Sequence, residues 1–246
     1  MIYKEACTSL KNKSSVLMVI SNKGGVGKTS IAIAMSMFYA QKTKYRTLLL
    51  ELDSSPGDFK TIFDIEEDKS LELALRFPQK YSRYVKNIYK NLDVLNGISN
   101  PLVAESIKTE AINILFDYIY RDYKFIIIDT QTTINGIILD ALRFSDLIFI
   151  VTDYSLESIS RISSLFKFLV DKFSISKSKM KVIINKKKFL DFYKIWDIAK
   201  IIELPIEIFI SMDSGFNKTN FLFNREKIFR TKFFRQVSKA ISSYLI

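Results

Sequence analysis

The densest chemistry in the chain lies near its start, in Ser21-Asn22-Lys23-Gly24-Gly25-Val26-Gly27-Lys28-Thr29. Three glycines let a backbone turn its N–H groups inward, which makes a concave nest for an anion. Lys28 closes the loop with a point charge suited to outer phosphate oxygens. The Thr29 hydroxyl can ligate a divalent cation held by the same phosphates. Ser30 follows in the first turn of an expected helix, where open N–H groups and the helix dipole favour negative charge. The spacing is that of a phosphate-binding loop, G-x-x-x-x-G-K-[ST], except that Asn22 stands at the first glycine position. Asn tolerates left-handed backbone geometry better than most residues, so the departure is mild. A second lysine, Lys23, opens the loop; from the residues alone it can be a phosphate ligand or a solvated loop lysine.

Acids at strand ends supply the other half of a phosphate site. Arg46–Leu52 (RTLLLEL) reads as a strand that runs into Asp53. A carboxylate there faces the crevice where open α/β sheets hold ligands. Asp53 can accept a hydrogen bond from an attacking water or hold a metal-bound water. Phe125–Asp129 (FIIID) buries four apolar residues and brings Asp129 out at the tip, placed for an outer contact to Mg²⁺. Asn185 ends the segment MKVIIN. Its amide can both donate and accept hydrogen bonds, or simply form a turn.

These side chains need a scaffold, and the hydrophobic pattern describes one. Strands are expected at Val16–Ile20, Arg46–Leu52, Leu92–Leu95, Phe125–Asp129, Leu147–Val151, Met180–Asn185 and Ile206–Ile210. Helices are expected at Ser30–Gln41, Ser70–Arg76, Val103–Tyr120, Leu156–Asp171, Phe189–Lys200 and Arg225–Tyr244, with a short one ending at Ala141–Phe144. Continuous β-branched runs separated by helices imply an α/β fold, a mostly parallel sheet with helices on both faces. No internal repeat or Gly/Ser/Pro-rich linker divides the chain. We therefore expect one domain over 16–246, preceded by an N-terminal extension over 1–15.

Composition removes other chemistries. There is no histidine and only one cysteine, Cys7. Ser-His-Asp and Cys-His catalysis, His-ligated metals and an intrachain disulfide framework are excluded. No apolar run approaches the ~18 residues of a spanning helix, and the N-terminus lacks an apolar signal core, so the chain reads as cytoplasmic. The net charge is +11. Lys177–Ile246 alone holds 15 basic and 6 acidic residues, or +9. Such a field attracts polyanions, nucleic acid or anionic lipid; a general lysine-rich drift in composition is the blander source. In the closing segment, Phe229, Phe233, Val237, Ala240, Ile241 and Tyr244 share one helical face, with Lys232, Arg235 and Lys239 opposite. That face can pack on the sheet, touch DNA phosphates or lie on a membrane.

KGGVGKT, with lysines at both ends, resembles the deviant Walker A motif of the ParA/MinD family of P-loop ATPases. Order and spacing fit that family from about Val16 to the C-terminus. The resemblance implies a P-loop NTPase fold and ATP with Mg²⁺ as cofactors, with slow hydrolysis stimulated by a partner protein. It implies a homodimer bridged by ATP, in which Lys23 reaches across to the partner's phosphates. By the same resemblance Lys23, Gly24, Gly25, Val26, Gly27, Lys28, Thr29 and Ser30 bind nucleotide, Asn185 meets adenine, and Thr29 and Asp129 serve the metal. Lys23, Lys28 and Asp53 carry catalysis. Two places depart from the pattern. Glu51 stands where the family's switch I (D-x-D) has its first Asp, and switch II reads Thr130-Gln131-Thr132-Thr133, its glycine delayed to Gly136. The GDF segment at Gly57–Phe59 and TDYSLESISR at Thr152–Arg161 look most like the pilus-assembly, pole-localised branch. The family positions cargo. Here the basic last third favours plasmid or chromosomal DNA and a nucleoid association; the alternative is a septum, flagellum or pilus at the inner membrane face. A metabolic P-loop kinase or synthase would need an acceptor pocket, and no amidotransferase motif is visible.

Overall fold

The computed structural model describes residues 14–53, 57–66, 68–98, 109–187, 198, 200–213, 216 and 225–245. Among the described residues eight strands form one sheet: β1 (Ser15–Ile20), β2 (Thr47–Leu52), β3 (Lys86–Tyr89), β4 (Leu92–Leu95), β5 (Phe125–Thr130), β6 (Leu147–Asp153), β7 (Met180–Lys187) and β8 (Ile206–Ser211). Their order is β3-β4-β2-β5-β1-β6-β7-β8. Every neighbouring pair is parallel except β3 with β4.

Helices cover both faces. On one side α1 (Lys28–Lys42), α2 (Phe59–Phe63) and α7 (Lys232–Ile241) pack over Leu17, Val19, Leu49 and Ile127. On the other, α3 (Leu71–Arg76), α4 (Thr109–Asp122), α5 (Gly136–Phe144) and α6 (Leu156–Phe173) pack over Met18, Leu50, Ile128 and Ile150. Successive strand residues thus enter opposite cores, which is why the central strands read as unbroken apolar runs. Among the described residues no helix is long and apolar enough to cross a membrane.

The structure corrects the expected elements in three places. The closing segment is not one helix. Arg225–Arg230 is a 3₁₀ turn, and α7 starts afresh where the Thr231 hydroxyl accepts the Phe234 N–H at 3.1 Å. A cap of that kind begins a helix, whatever apolar period runs through it. The antiparallel edge strand β3 and the short helix α2 were not anticipated. The expected helix over 189–200 lies almost wholly outside the described residues, as do 103–108 of the one now starting at Thr109 and 1–13 of the N-terminal extension.

What matters for chemistry is the carboxyl edge of the sheet. β1 lies between β5 and β6, with Val19 in register with Asp129 and with Phe149. Glu51 of β2 is in register with Asp129 from the other side. The ends of β1, β2, β5, β6 and β7 therefore open on the same rim.

Candidate functional site

The loop after β1 turns directly into α1. Gly25 (φ 73) and Gly27 (φ 100) take the left-handed conformations that the tight turn requires. Gly27 is also the N-cap residue of α1; no side chain caps that end, and no acid stands in its first turn. The helix therefore presents open N–H groups to an anion. Gly27 has a second reason to be glycine: a Cβ there would lie 2.4 Å from Nδ2 of Asn185.

The loop forms one wall of a cleft of about 840 Å³, lined by Gly24, Gly25, Gly27, Lys28, Thr29, Ser30, Glu51, Asp53, Asp129 and Gln131 among others. Lys28 is buried, its ammonium 3.5 Å from the Thr132 hydroxyl. Asp129 is buried at 3% exposure on the floor. Beside it Glu51, at 2% exposure, accepts the Phe59 N–H at 3.2 Å through Oε1 and the Gly97 N–H at 3.0 Å through Oε2. Burial first pushes the Glu51 carboxyl up, with Asp129 and Asp53 adding to the rise; the two amides oppose it, and the outcome is about 8. The longer Glu side chain thus ties the segment after Asp53 to the exit of β4. Gly57 leaves it room, since a Cβ there would come within 2.3 Å of its carboxyl. Adjacent buried carboxyls, a nearby Thr29 hydroxyl, a lysine and an open anion nest form a donor set that fits a triphosphate with Mg²⁺.

Two of the expected nucleotide-binding residues make their bonds outside this cleft. Lys23 turns from this cleft: its ammonium lies 2.8 Å from Oδ2 of Asp153 and 3.0 Å from Oγ of Ser158. Asp153 closes β6, and Ser155 caps α6 by accepting the Ser158 N–H at 3.3 Å. Burial works to raise the Asp153 carboxyl, but hydrogen bonds from Lys23, Ser155 and Ser158 outweigh it and hold it at about 2. Asn185 is buried, and its amide donates to the Val26 carbonyl at 2.8 Å, holding the loop from behind. Val26 itself is buried in the core and does not line the cleft. Sequence reasoning did not single out Asp153, nor Lys186, which also lines the cleft. Asp153 carried the same signal as Asp53 and Asp129, an acid at the end of an apolar strand.

A phosphate nest at the tip of a central strand, with acids on the neighbouring strand ends, is the arrangement of a P-loop nucleotide-binding fold. Residues 14–182 match the AAA domain family AAA_31, and the chain belongs to that family. The fold is shared with a ParA family ATPase from Chlorobium tepidum TLS, with TM-score 0.82 and 21% identity over 93% of this chain and 99% of that one. It is shared with the septum site-determining protein MinD from Pyrococcus horikoshii OT3, solved with Mg-ADP, with TM-score 0.74 and 14% identity over 94% and 96%. In sequence it is similar to the flagellum site-determining protein YlxH of Helicobacter pylori, 26% identical over 147 residues, 58% of this chain and 49% of that one. The chain spans between 49% and 61% of the length of the curated relatives it matches.

Proposed function

We propose that this chain is an ATP-dependent dimerisation switch that positions cargo. Bound Mg²⁺ would neutralise developing charge on the transferred phosphoryl group. The loop N–H groups and Lys28 hold the phosphates, Thr29 and Asp129 serve the cation, and Asp53 orients the attacking water. Lys23 of each copy serves the other's phosphates, so that nucleotide holds two copies together. The observation that carries this reading is the direction of Lys23: it does not line its own cleft and bonds Asp153 at the end of β6. A partner protein stimulates hydrolysis and returns the dimer to monomers.

The favoured cargo is plasmid or chromosomal DNA. Lys227, Arg230, Lys232, Arg235 and Lys239 are exposed around α7, while Phe233, Val237, Ala240 and Ile241 are buried beneath it. The apolar face of α7 is thus spent on the sheet, and the face it turns to solvent is charged. The second reading, placement of a septum, flagellum or pilus, is supported by the similarity to MinD and YlxH. Gel-shift titrations in ATP, repeated at rising salt, are compared with sedimentation on anionic liposomes. Salt-sensitive DNA binding that requires ATP is expected. Liposome binding without DNA binding would move the cargo to the membrane.

A further inference from the structure

β7 does not run evenly into its turn. Its pairing with β8 shifts between Ile184, opposite Phe209, and Lys187, opposite Ser211, so that Asn185 and Lys186 stand against Ile210 alone. Lys186 sits in this bulge at φ 59, a conformation that lysine seldom adopts. Bulges re-aim side chains beside functional sites. Here the flanking residues are engaged: the Asn185 amide bonds the loop, and the Lys187 ammonium lies 5.5 and 5.4 Å from the ring centroids of Tyr154 and Phe209. Lys186 is exposed, and its ammonium reaches across to the Gly25 carbonyl at 2.5 Å. One exposed bond to a neutral carbonyl is poor compensation for a strained backbone, and strain of this kind gathers at functional sites.

Its position says what the lysine is for. With Gly27 and Ser30, Lys186 lines both the 840 Å³ cleft and a second space of about 130 Å³, bounded further by Asn185, Met212 and Phe233. A nucleotide with its outer phosphates on the loop and its nucleoside in the second space passes Lys186 at the junction of the two. We infer that Lys186 is a nucleotide-binding residue. Its ammonium exchanges the Gly25 carbonyl for the α-phosphate, replacing a neutral acceptor by a charged one. The bulge is the device that brings the cation there.

This inference rests on the nucleotide reading of the site, and the test separates the two. ATP and ADP are titrated by calorimetry into the wild-type chain, Lys186→Asn and Lys186→Gly, each followed also by thermal melting without nucleotide. Asn and Gly both accept the left-handed backbone. The α-phosphate is common to both nucleotides. Both variants should therefore lose about tenfold in affinity, about 1.4 kcal/mol, for ATP and for ADP alike, while Lys186→Gly melts no lower than wild type. Affinities within twofold of wild type, or a loss confined to ATP, would overturn the assignment. A wild-type chain that binds neither nucleotide would overturn the site reading itself.

Discussion

Replacing Asp153 by Asn should tighten the ATP-bound dimer. The Lys23 ammonium must leave Asp153 before it can serve another copy, and the strength of that attachment opposes association. The two side chains are 33% and 23% exposed, so solvent screens the pair, and a contact of this kind contributes at most ~1 kcal/mol. A dimer releases two of them, which makes ~2 kcal/mol, about thirtyfold in the dimer dissociation constant. Asn keeps an oxygen for the Ser155 and Ser158 hydroxyls, so the start of α6 should survive. Sedimentation equilibrium with a non-hydrolysable ATP analogue, taken through a dilution series, reads the difference. The Asp153 carboxyl is held down at about 2 against 3.8 in an unfolded chain. Its contribution is complete above pH 3.8 and disappears only as pH falls through about 2, so the gap between wild type and variant should be constant from pH 6 to 8. An equal or looser dimer in Asp153→Asn would refute the view that this acid restrains Lys23.

Other perturbations address the rest of the site. Glu51, raised from 4.5 to about 8, binds a proton in the folded chain that the unfolded chain releases. Stability should therefore fall as pH rises between those values, by up to ~1.4 kcal/mol per pH unit. Denaturant titrations should find that slope in wild type and lose it in Glu51→Gln; equal slopes would mean the carboxyl is not perturbed. Gly27→Ala places a Cβ 2.4 Å from Asn185 Nδ2 at φ 100, costing ~1–3 kcal/mol and, in a chain of this size, lowering Tm by several degrees. An unchanged melting curve would contradict the close packing of loop and β7. Asp53→Ala should still dimerise in ATP and release no phosphate; unchanged turnover would take Asp53 out of the hydrolytic step.

The loop, the apolar strands and the acids at 53 and 129 were legible in the sequence because each is specified locally. A glycine turn between strand and helix and an acid after a buried run mean the same thing in most surroundings. Structure that depends on distant partners was not legible. Lys23 is aimed by Asp153, 130 residues away, and Glu51 gains its role only when Gly97 and Phe59 converge on it. Lys186 stands out through a bulge that exists only against β8. The four-residue strand β3 is too short for its alternation to stand out, although Asn91 at φ 61 marks the turn into β4. The break before α7 was hidden because Phe229 and Phe233 keep the helical period across Thr231, while its hydroxyl caps a new start.

The direct test of the account is the mass in solution of Lys23→Ala mixed with ATP and Mg²⁺, measured by light scattering beside wild type and Lys28→Ala. Lys28→Ala should bind no nucleotide. Lys23→Ala should bind nucleotide as wild type does and stay monomeric where wild type doubles its mass. A Lys23→Ala dimer of wild-type strength would contradict the claim that this lysine joins two copies through their nucleotides.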